Sequence, residues 1–145
     1  MQMTCVIITV MDAFSQFLKS KGYRITKFRI AILQLLHSSK TPLAADEIKS
    51  NLDKQGVFAD LVTVYRFLNT FVDVGLLHKI EFGEGRYRYE LASLPHHHHV
   101  VCNSCGDIED IQIDENELTK KLKTKSRFKI DHHHLEFFGL CANCQ

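Results

Sequence analysis

The chain has 145 residues, a formal net charge of +1, 45% hydrophobic residues and two prolines. This composition excludes an intrinsically disordered chain and is typical of one ordinary domain or two small ones. Residues 1–18 hold no Lys or Arg and the apolar run Cys5–Met11 is only seven residues long, so we expect neither export nor a membrane span and predict a cytoplasmic protein.

Four helices are predicted in the first half of the chain. The first covers residues 12–20 and ends at Gly22, a typical C-terminal cap. Thr26 caps a second helix that reaches His37, a third covers residues 44–54, and Asp60 caps a fourth over residues 61–74 that Gly75 terminates. Apolar residues recur at helical spacing in the second and fourth helices, and we expect them to form a core: Phe28, Ile32, Leu35 and Leu36, then Leu61, Val64, Leu68, Phe71 and Val72.

After Gly75 the apolar period changes to two. Residues 76–82 and 86–91 are predicted strands joined by a short turn at Gly83-Glu84-Gly85. Helices followed by a β-hairpin are the outline of a winged helix-turn-helix, in which the last helix enters the major groove of DNA. The predicted DNA-binding residues are Lys27, Thr63, Tyr65, Arg66 and Arg86, with Arg88 as a further phosphate contact. The alternative is that Tyr65 is a half-buried aromatic and Arg66 a solvated charge.

Charge and metal-binding residue types divide the chain near residues 92–95. Residues 1–91 carry 12 Lys and Arg against 9 Asp and Glu, whereas residues 92–145 carry 6 against 8. The basic excess is concentrated in one cluster, which suits either a solvated face or a phosphate-binding face: Lys19, Lys21, Arg24, Lys27 and Arg29. We therefore predict a first domain at 11–91, a hinge at 92–95 and a second domain at 96–145. Met11 is the expected natural start, and Cys5 has no assigned role.

The second half is predicted to form a small β-β-α-β unit. Residues 100–102 and 108–113 are short strands on either side of a turn that contains Gly106. Asp114 caps a lysine-rich helix to about Ser126, in which Leu118 and Leu122 are the expected buried pair. Residues 127–140 form the final strand.

Four of the five cysteines form two Cys-x-x-Cys pairs separated by 35 residues, Cys102 with Cys105 and Cys141 with Cys144. Two such pairs make a closed tetrahedral four-thiolate site, which suits Zn²⁺. The alternative is a pair of disulfides, which requires an oxidising compartment. Because nothing in the sequence indicates export, we predict structural zinc.

Four consecutive histidines, His96 to His99, precede the first cysteine pair. Side chains alternate faces along an extended strand, so His96 and His98 point one way and His97 and His99 the other. One run can therefore contribute to two metal sites if other ligands converge on it. Further candidate ligands in the sequence are His78, Glu90, Glu117 and His132 to His134.

A winged helix that carries D-L-V-T-V-Y-R at 60–66, then H-H-H-H-V-V-C-N-S-C-G at 96–106 and G-L-C-A-N-C at 139–144, resembles the ferric uptake regulator family. The resemblance runs from about Met11 to Cys144. It implies an α+β protein in which an N-terminal winged helix-turn-helix domain precedes a small α/β (β-β-α-β) dimerisation domain with a four-cysteine zinc site. It also implies a homodimeric, metal-dependent transcription factor, usually a repressor, that binds palindromic double-stranded DNA and has no small-molecule substrate.

The resemblance further implies three metal sites. Cys102, Cys105, Cys141 and Cys144 match the structural zinc ligands, and Glu90, His97 and His99 match a hinge sensor site. His96, His98, Glu117 and His133 match a site inside the dimerisation domain. Many members add a hinge histidine from the loop before the third helix, but that position is Pro42 here, and we assign the vacancy to His78. The regulatory ion is expected to be Zn²⁺ or Fe²⁺, with zinc slightly favoured.

The resulting hypothesis is that metal acts as a co-repressor. An ion bound by ligands from both sides of the linker fixes the distance between the two DNA-binding domains of the dimer. That fixed distance matches the spacing of palindromic half-sites. Two alternatives remain open on the residues alone: a zinc-stabilised winged helix that binds only protein, and a zinc hydrolase with an open coordination position. The hydrolase lacks an H-E-x-x-H sequence and an evident general base.

Overall fold

The computed structural model describes residues 2–131 and 133–145, with side chains described from residue 11 onward. The chain divides into two compact units, one up to Leu94 and one from Pro95. The first unit contains α1 (Gln2–Ser20), α2 (Lys27–Ser38), β1 (Leu43–Ala44), α3 (Ala45–Lys54), α4 (Leu61–Asp73), β2 (Leu77–Glu81) and β3 (Tyr87–Leu91). The second contains β4 (His98–Cys102), β5 (Ile108–Ile111), α5 (Asn116–Lys125) and β6 (Glu136–Gly139).

Caps place the start of α2 and both ends of α4 as predicted. The Thr26 hydroxyl accepts a hydrogen bond from the Arg29 N–H at the start of α2, and the Asp60 carboxylate accepts one from the Thr63 N–H at the start of α4. Gly75 ends α4 with φ of +78°, donating to the Val72 carbonyl while Leu76 N–H donates to the Phe71 carbonyl. This paired closure favours glycine because its backbone is left-handed.

Helix α1 is longer than predicted. It starts at Gln2 rather than at residue 12. Residues 2–11, which lie outside the predicted helix, are rich in β-branched residues, which have lower helix propensity and show no helical pattern. Strand β1 was also missed, because two residues are too few to show a period.

The core of the first unit lies between the helices and one face of a three-stranded antiparallel sheet. The sheet has the order β1-β3-β2. The buried stripe of α4 is confirmed at Val64, Leu68 and Phe71, and that of α2 at Ile32 and Leu36. Leu61 was predicted in this stripe but is exposed, because it occupies the first turn of α4 beyond the edge of the core.

A buried guanidinium joins the wing to α3. Arg88 on β3 donates to both carboxylate oxygens of Glu47 at 3.0 and 3.2 Å and to the Pro42 carbonyl at 3.3 Å. It also donates to both oxygens of Glu84 in the wing turn, each at 3.1 Å. The predicted phosphate contact by Arg88 is therefore wrong, since its side chain is only 8% exposed and is surrounded by protein acceptors.

The second unit has the predicted β-β-α-β order. Strand β4 is central, pairing antiparallel with β5 and parallel with β6. The predicted final strand over 127–140 is wrong in extent, because only Glu136–Gly139 pairs with β4. Leu118 and Leu122 were expected to be buried, but they are 43% and 40% exposed, and α5 has no buried residue. Among the described residues, no helix is long and apolar enough to cross a membrane.

Arg88→Ala is expected to destabilise the first unit by about 2 kcal/mol, because a hydrogen bond to a charged group contributes about 1.5–3 kcal/mol to stability. Arg86→Ala is the matched control: Arg86 contacts the same carboxylates, but its side chain is 37% exposed, so the expected loss is below about 1 kcal/mol. Urea unfolding followed by tyrosine fluorescence measures this unit alone, because all four tyrosines lie before residue 95 and the chain has no tryptophan.

The same comparison has a defined pH dependence. Hydrogen bonding from Arg88 holds the pKa of Glu84 below its ordinary value of 4.5. A depressed folded-state pKa stabilises the fold above the ordinary pKa, and that stabilisation is lost as the pH falls through the depressed value. The difference between wild type and Arg88→Ala should therefore shrink below about pH 4.5. Equal destabilisation by the two substitutions, or a difference independent of acid, would contradict the role given to Arg88.

Candidate metal centres and DNA-reading helix

The two cysteine pairs meet at one end of the second sheet. Cys102 ends β4, the turn after it carries Cys105, and the parallel pairing of β4 with β6 aligns Cys102 with Gly139 just before Cys141. The four sulfur atoms lie within 4.8 Å of one another, and the Cys105 and Cys141 sulfurs are 3.7 Å apart. Two thiolates on one tetrahedral zinc, each bonded at about 2.3 Å, would lie about 3.8 Å apart.

The disulfide alternative does not fit this geometry. A disulfide requires a separation of about 2.05 Å between two sulfur atoms. The four cysteines of the cluster are instead free thiols, and the Cys141 N–H donates to the Cys102 sulfur at 3.3 Å. The arrangement brings all four predicted zinc ligands together.

Electrostatics favour a cation at this cluster. Backbone N–H groups, that of Cys105 first and those of Cys141 and Ser104 next, lower the pKa of the Cys102 thiol to about 6. At Cys105 a backbone N–H of Asp107 acts in the same direction, but hydrogen bonds with the neighbouring thiols raise its pKa to about 12. One thiolate therefore forms readily and opposes the ionisation of the next, which a divalent cation would offset.

A second cluster, which we call the histidine–Glu115 cluster, consists of His96, His98, Glu115 and His133. One ligand atom from each lies within 4.8 Å of the others. Glu115 lies among the three imidazoles, 3.3 Å from the His96 Nε2 and 2.9 Å from the His133 Nε2, and it also contacts the His98 Nε2. Burial lowers the pKa of His98, which favours the neutral imidazole that binds metals. His132, the neighbouring candidate, lies outside the described residues.

The carboxylate of this cluster is not the one predicted. The Glu117 side chain is 90% exposed and faces Lys121, whereas that of Glu115 is 11% exposed. Glu115 is the N-cap of α5, and two residues along a helix correspond to about 200° of rotation, so both side chains cannot face the histidines. The predicted cap residue, Asp114, accepts a hydrogen bond from the Asn116 N–H. The helix begins one residue later than the sequence predicts, and the residue spacing does not single out Glu115.

His97 and His99 form the opposite face of the same run, as the alternation predicted. Their ring centroids are 4.9 Å apart, and those of His96 and His98 are 4.8 Å apart. The carboxylate oxygens of Asp110 lie 3.8 Å from the His97 Nε2 and 3.6 Å from the His99 Nε2. Asp110 was missed, although the turn between the cysteines sets the antiparallel register and places it opposite His99.

The remaining predicted sensor residues belong to the wing. His78 on β2 pairs directly with Glu90 on β3, so the two side chains occupy the same face of that sheet. Glu90 is buried and His78 is exposed. Pro42 is fully buried, and its carbonyl accepts the hydrogen bond from Arg88.

The predicted DNA-binding residues differ in their surroundings. Lys27, Tyr65 and Arg66 are exposed on α2 and α4. The Thr63 hydroxyl instead donates to Asp60 at 3.0 Å as part of the helix cap. Arg86 forms ion pairs with Asp46, Glu47 and Glu84, so its charge is already neutralised within the protein.

Comparison with known proteins agrees with this architecture. The profile described as the ferric uptake regulator family matches residues 20–138. The chain belongs to the ferric uptake regulator family. Members of this family are dimeric, metal-responsive DNA-binding transcriptional regulators rather than enzymes, which removes the zinc hydrolase alternative.

Individual members of the ferric uptake regulator family are similar over most of their length. The peroxide-responsive repressor PerR of Staphylococcus aureus (strain USA300) is 34% identical over 129 residues, covering 88% of this chain and 86% of its own. The Helicobacter pylori ferric uptake regulator, which has three functional metal-binding sites, aligns with a TM-score of 0.83 and 25% identity over 95% of this chain and 93% of its own. The Vibrio cholerae regulator aligns with a TM-score of 0.78 and 33% identity, over 87% and 98%.

Glu115→Gln is expected to weaken metal binding at the histidine–Glu115 cluster by at least about tenfold, since removing even an outer hydrogen-bonding partner of a ligand costs about 10- to 100-fold. Glu117→Gln is the matched control and should leave the affinity unchanged. Zinc titration against a chromophoric chelator, in a His97→Ala background that leaves one histidine set intact, measures the effect. Weakening by Glu117→Gln alone would assign the ligand role to Glu117, and equal weakening by both substitutions would contradict the choice of Glu115 over Glu117.

Proposed function

We propose that this protein is a cytoplasmic repressor of metal-uptake or metal-homeostasis genes, with a metal ion as its co-repressor. The observation that carries the proposal is the placement of three ligand sets around one strand of a unit that follows a winged helix. The H. pylori relative has three functional metal-binding sites, and this chain has three sets of candidate ligand residues, which supports the proposal.

The four cysteines are proposed to hold a structural Zn²⁺. A closed set of four thiolates leaves no position for water or substrate, which is the arrangement of structural rather than catalytic zinc. The sulfur spacing of 3.7 Å between Cys105 and Cys141 supports this assignment. The ion would hold the C-terminal segment against the end of β4.

The regulatory ion is proposed to be held by His78 and Glu90 from the first unit and by His97 and His99 from the second, with Asp110 as a further ligand. The support comes from each unit separately: the direct pairing of His78 with Glu90 on the wing, and the approach of both histidines to Asp110. An ion bound by ligands from both sides of residues 92–95 would restrict the motion of the DNA-binding unit. Shifting such an equilibrium from 1:99 to 99:1 requires about 5.5 kcal/mol of differential affinity.

Zinc is our first candidate for the regulatory ion. Imidazole ligands suit Zn²⁺, and they also suit Fe²⁺, which is the second candidate because the proposed sphere contains carboxylates and no thiolate. The S. aureus relatives are peroxide-responsive repressors, and peroxide sensing by iron-mediated oxidation of a ligand histidine is therefore the third candidate for this chain. The same residues would hold the ion in each case.

The second unit is proposed to pair with a second copy through its exposed apolar side chains. Leu118 and Leu122 on α5 and Phe137 and Phe138 on β6 are all exposed in the single chain. Burying such side chains stabilises association by about 25 cal/mol per Å² of apolar surface. A symmetric dimer of this kind presents two α4 helices to the two half-sites of a palindromic operator.

His97→Ala is expected to abolish most of the metal-dependent gain in operator affinity, because it removes a proposed ligand of the regulatory ion. The zinc content of the four-cysteine site should remain at one equivalent. Fluorescence anisotropy with operator DNA, titrated with Zn²⁺ and Fe²⁺ at buffered free concentrations, measures the effect and identifies the effective ion. His37→Ala is the control, since His37 is an exposed residue in the last turn of α2. Full metal dependence in His97→Ala would exclude the hinge site.

Arg66→Ala is expected to weaken binding to all DNA sequences and to reduce the slope of log K against log salt by about 1 per protomer, because one phosphate contact is lost. Arg86→Ala should leave the slope unchanged, since Arg86 is already paired with three carboxylates. Binding isotherms at several salt concentrations compare the two variants. A larger change for Arg86→Ala would show that the wing pairs open on DNA and that the phosphate contact predicted for Arg86 is correct.

A further inference from the structure

The first turn of α4 exposes apolar rather than hydrogen-bonding side chains. Val62 at the second position of the helix is 77% exposed, and Leu61 beside it and Phe58 before the cap are exposed as well. A β-branched aliphatic side chain left in water at this position contributes nothing to the core, since Val64 and Leu68 provide the buried stripe. Exposed apolar groups that are contiguous with a binding surface mark contacts with a partner.

The polar groups of the same turn are engaged within the protein. One carboxylate oxygen of Asp60 accepts from the Thr63 N–H at 2.7 Å and the other accepts from the Thr63 hydroxyl at 3.0 Å. Neither Thr63 nor Asp60 therefore offers a free side-chain donor to a base edge while this cap is intact. With its hydroxyl donor engaged, the first turn has its exposed apolar side chains left for contact with base edges.

We propose that Val62 is a specificity-determining residue that contacts the C5 methyl group of a thymine in the major groove. The N-terminal residues of a recognition helix contact base edges, and the thymine methyl is the one apolar group that a base pair presents there. Val62 and Arg66 are four residues apart and share a helix face, so a phosphate contact by Arg66 would direct Val62 towards the groove. The inference rests on the proposed function, in which α4 reads DNA.

The charge around this turn favours DNA over a protein partner. Arg66 is exposed on the same face, and the exposed Lys27 begins α2. An apolar side chain with an exposed cation on the same helix face matches a thymine methyl group beside a phosphate.

The test combines a DNA change with a protein change. The full-length, metal-loaded protein is first used to select its operator from random duplex DNA. Each thymine of the operator is then replaced by deoxyuridine, which removes only the C5 methyl. For wild type, replacing the contacted thymine in one half-site should reduce the affinity about fourfold, and replacing it in both half-sites should reduce the affinity about fifteenfold. Each step is the effect of one buried methyl group. Val62→Ser should bind the thymine operator correspondingly less tightly and should lose nothing further with deoxyuridine.

Asn69→Ala serves as the control, because Asn69 is exposed two turns further along α4 and should keep the full deoxyuridine effect. An unchanged melting temperature of Val62→Ser confirms that the fold is intact. The inference is overturned if Val62→Ser keeps the deoxyuridine effect, or if it changes only self-association and not operator binding. If wild type selects no operator in the presence of metal, the proposed function fails as well. If wild type selects an operator but Val62→Ser leaves the deoxyuridine effect unchanged, only this inference fails.

Discussion

The pleat of an extended chain sends alternate side chains to opposite faces, and four successive histidines lead into β4 on that pleat. His96 and His98 therefore meet Glu115 and His133, while His97 and His99 meet Asp110. The same strand ends at Cys102, the first of the four clustered thiols. All three candidate ligand sets thus depend on one strand, and a slip of one residue in its register would exchange the two histidine faces.

The sheet around β4 explains how distant segments of the chain reach these ligands. Antiparallel pairing with β5 is set by the short turn between Cys102 and Cys105, and it places Asp110 opposite His99. Parallel pairing with β6 requires a long crossover, which α5 provides, and it returns Cys141 to the end of β4. The crossover also delivers Glu115 at the start of α5. The strand pairing and connections of this small sheet therefore determine which residues meet in each ligand set.

The first unit separates cations that form ion pairs within the fold from cations that are exposed on its helices. Arg88 and Arg86 are both in the wing and both face carboxylates, so their charges are balanced within the protein. Arg66 and Lys27 are exposed on the helices instead. This division is physically reasonable because an ion pair formed in the free protein would have to break before the same guanidinium could bind a phosphate.

The sequence by itself determined the helix caps at Thr26 and Asp60, the wing, the order of the second unit, the clustering of the cysteines and the family, because each rests on local spacing or a short motif. Only the tertiary structure decided which carboxylates face the histidines: Glu115 rather than Glu117, and Asp110 in addition. It also decided that Arg88 is buried and that Leu118 and Leu122 are exposed in the single chain. Those outcomes depend on helix phase, strand register and coverage by other segments, and residue spacing within one segment specifies none of them.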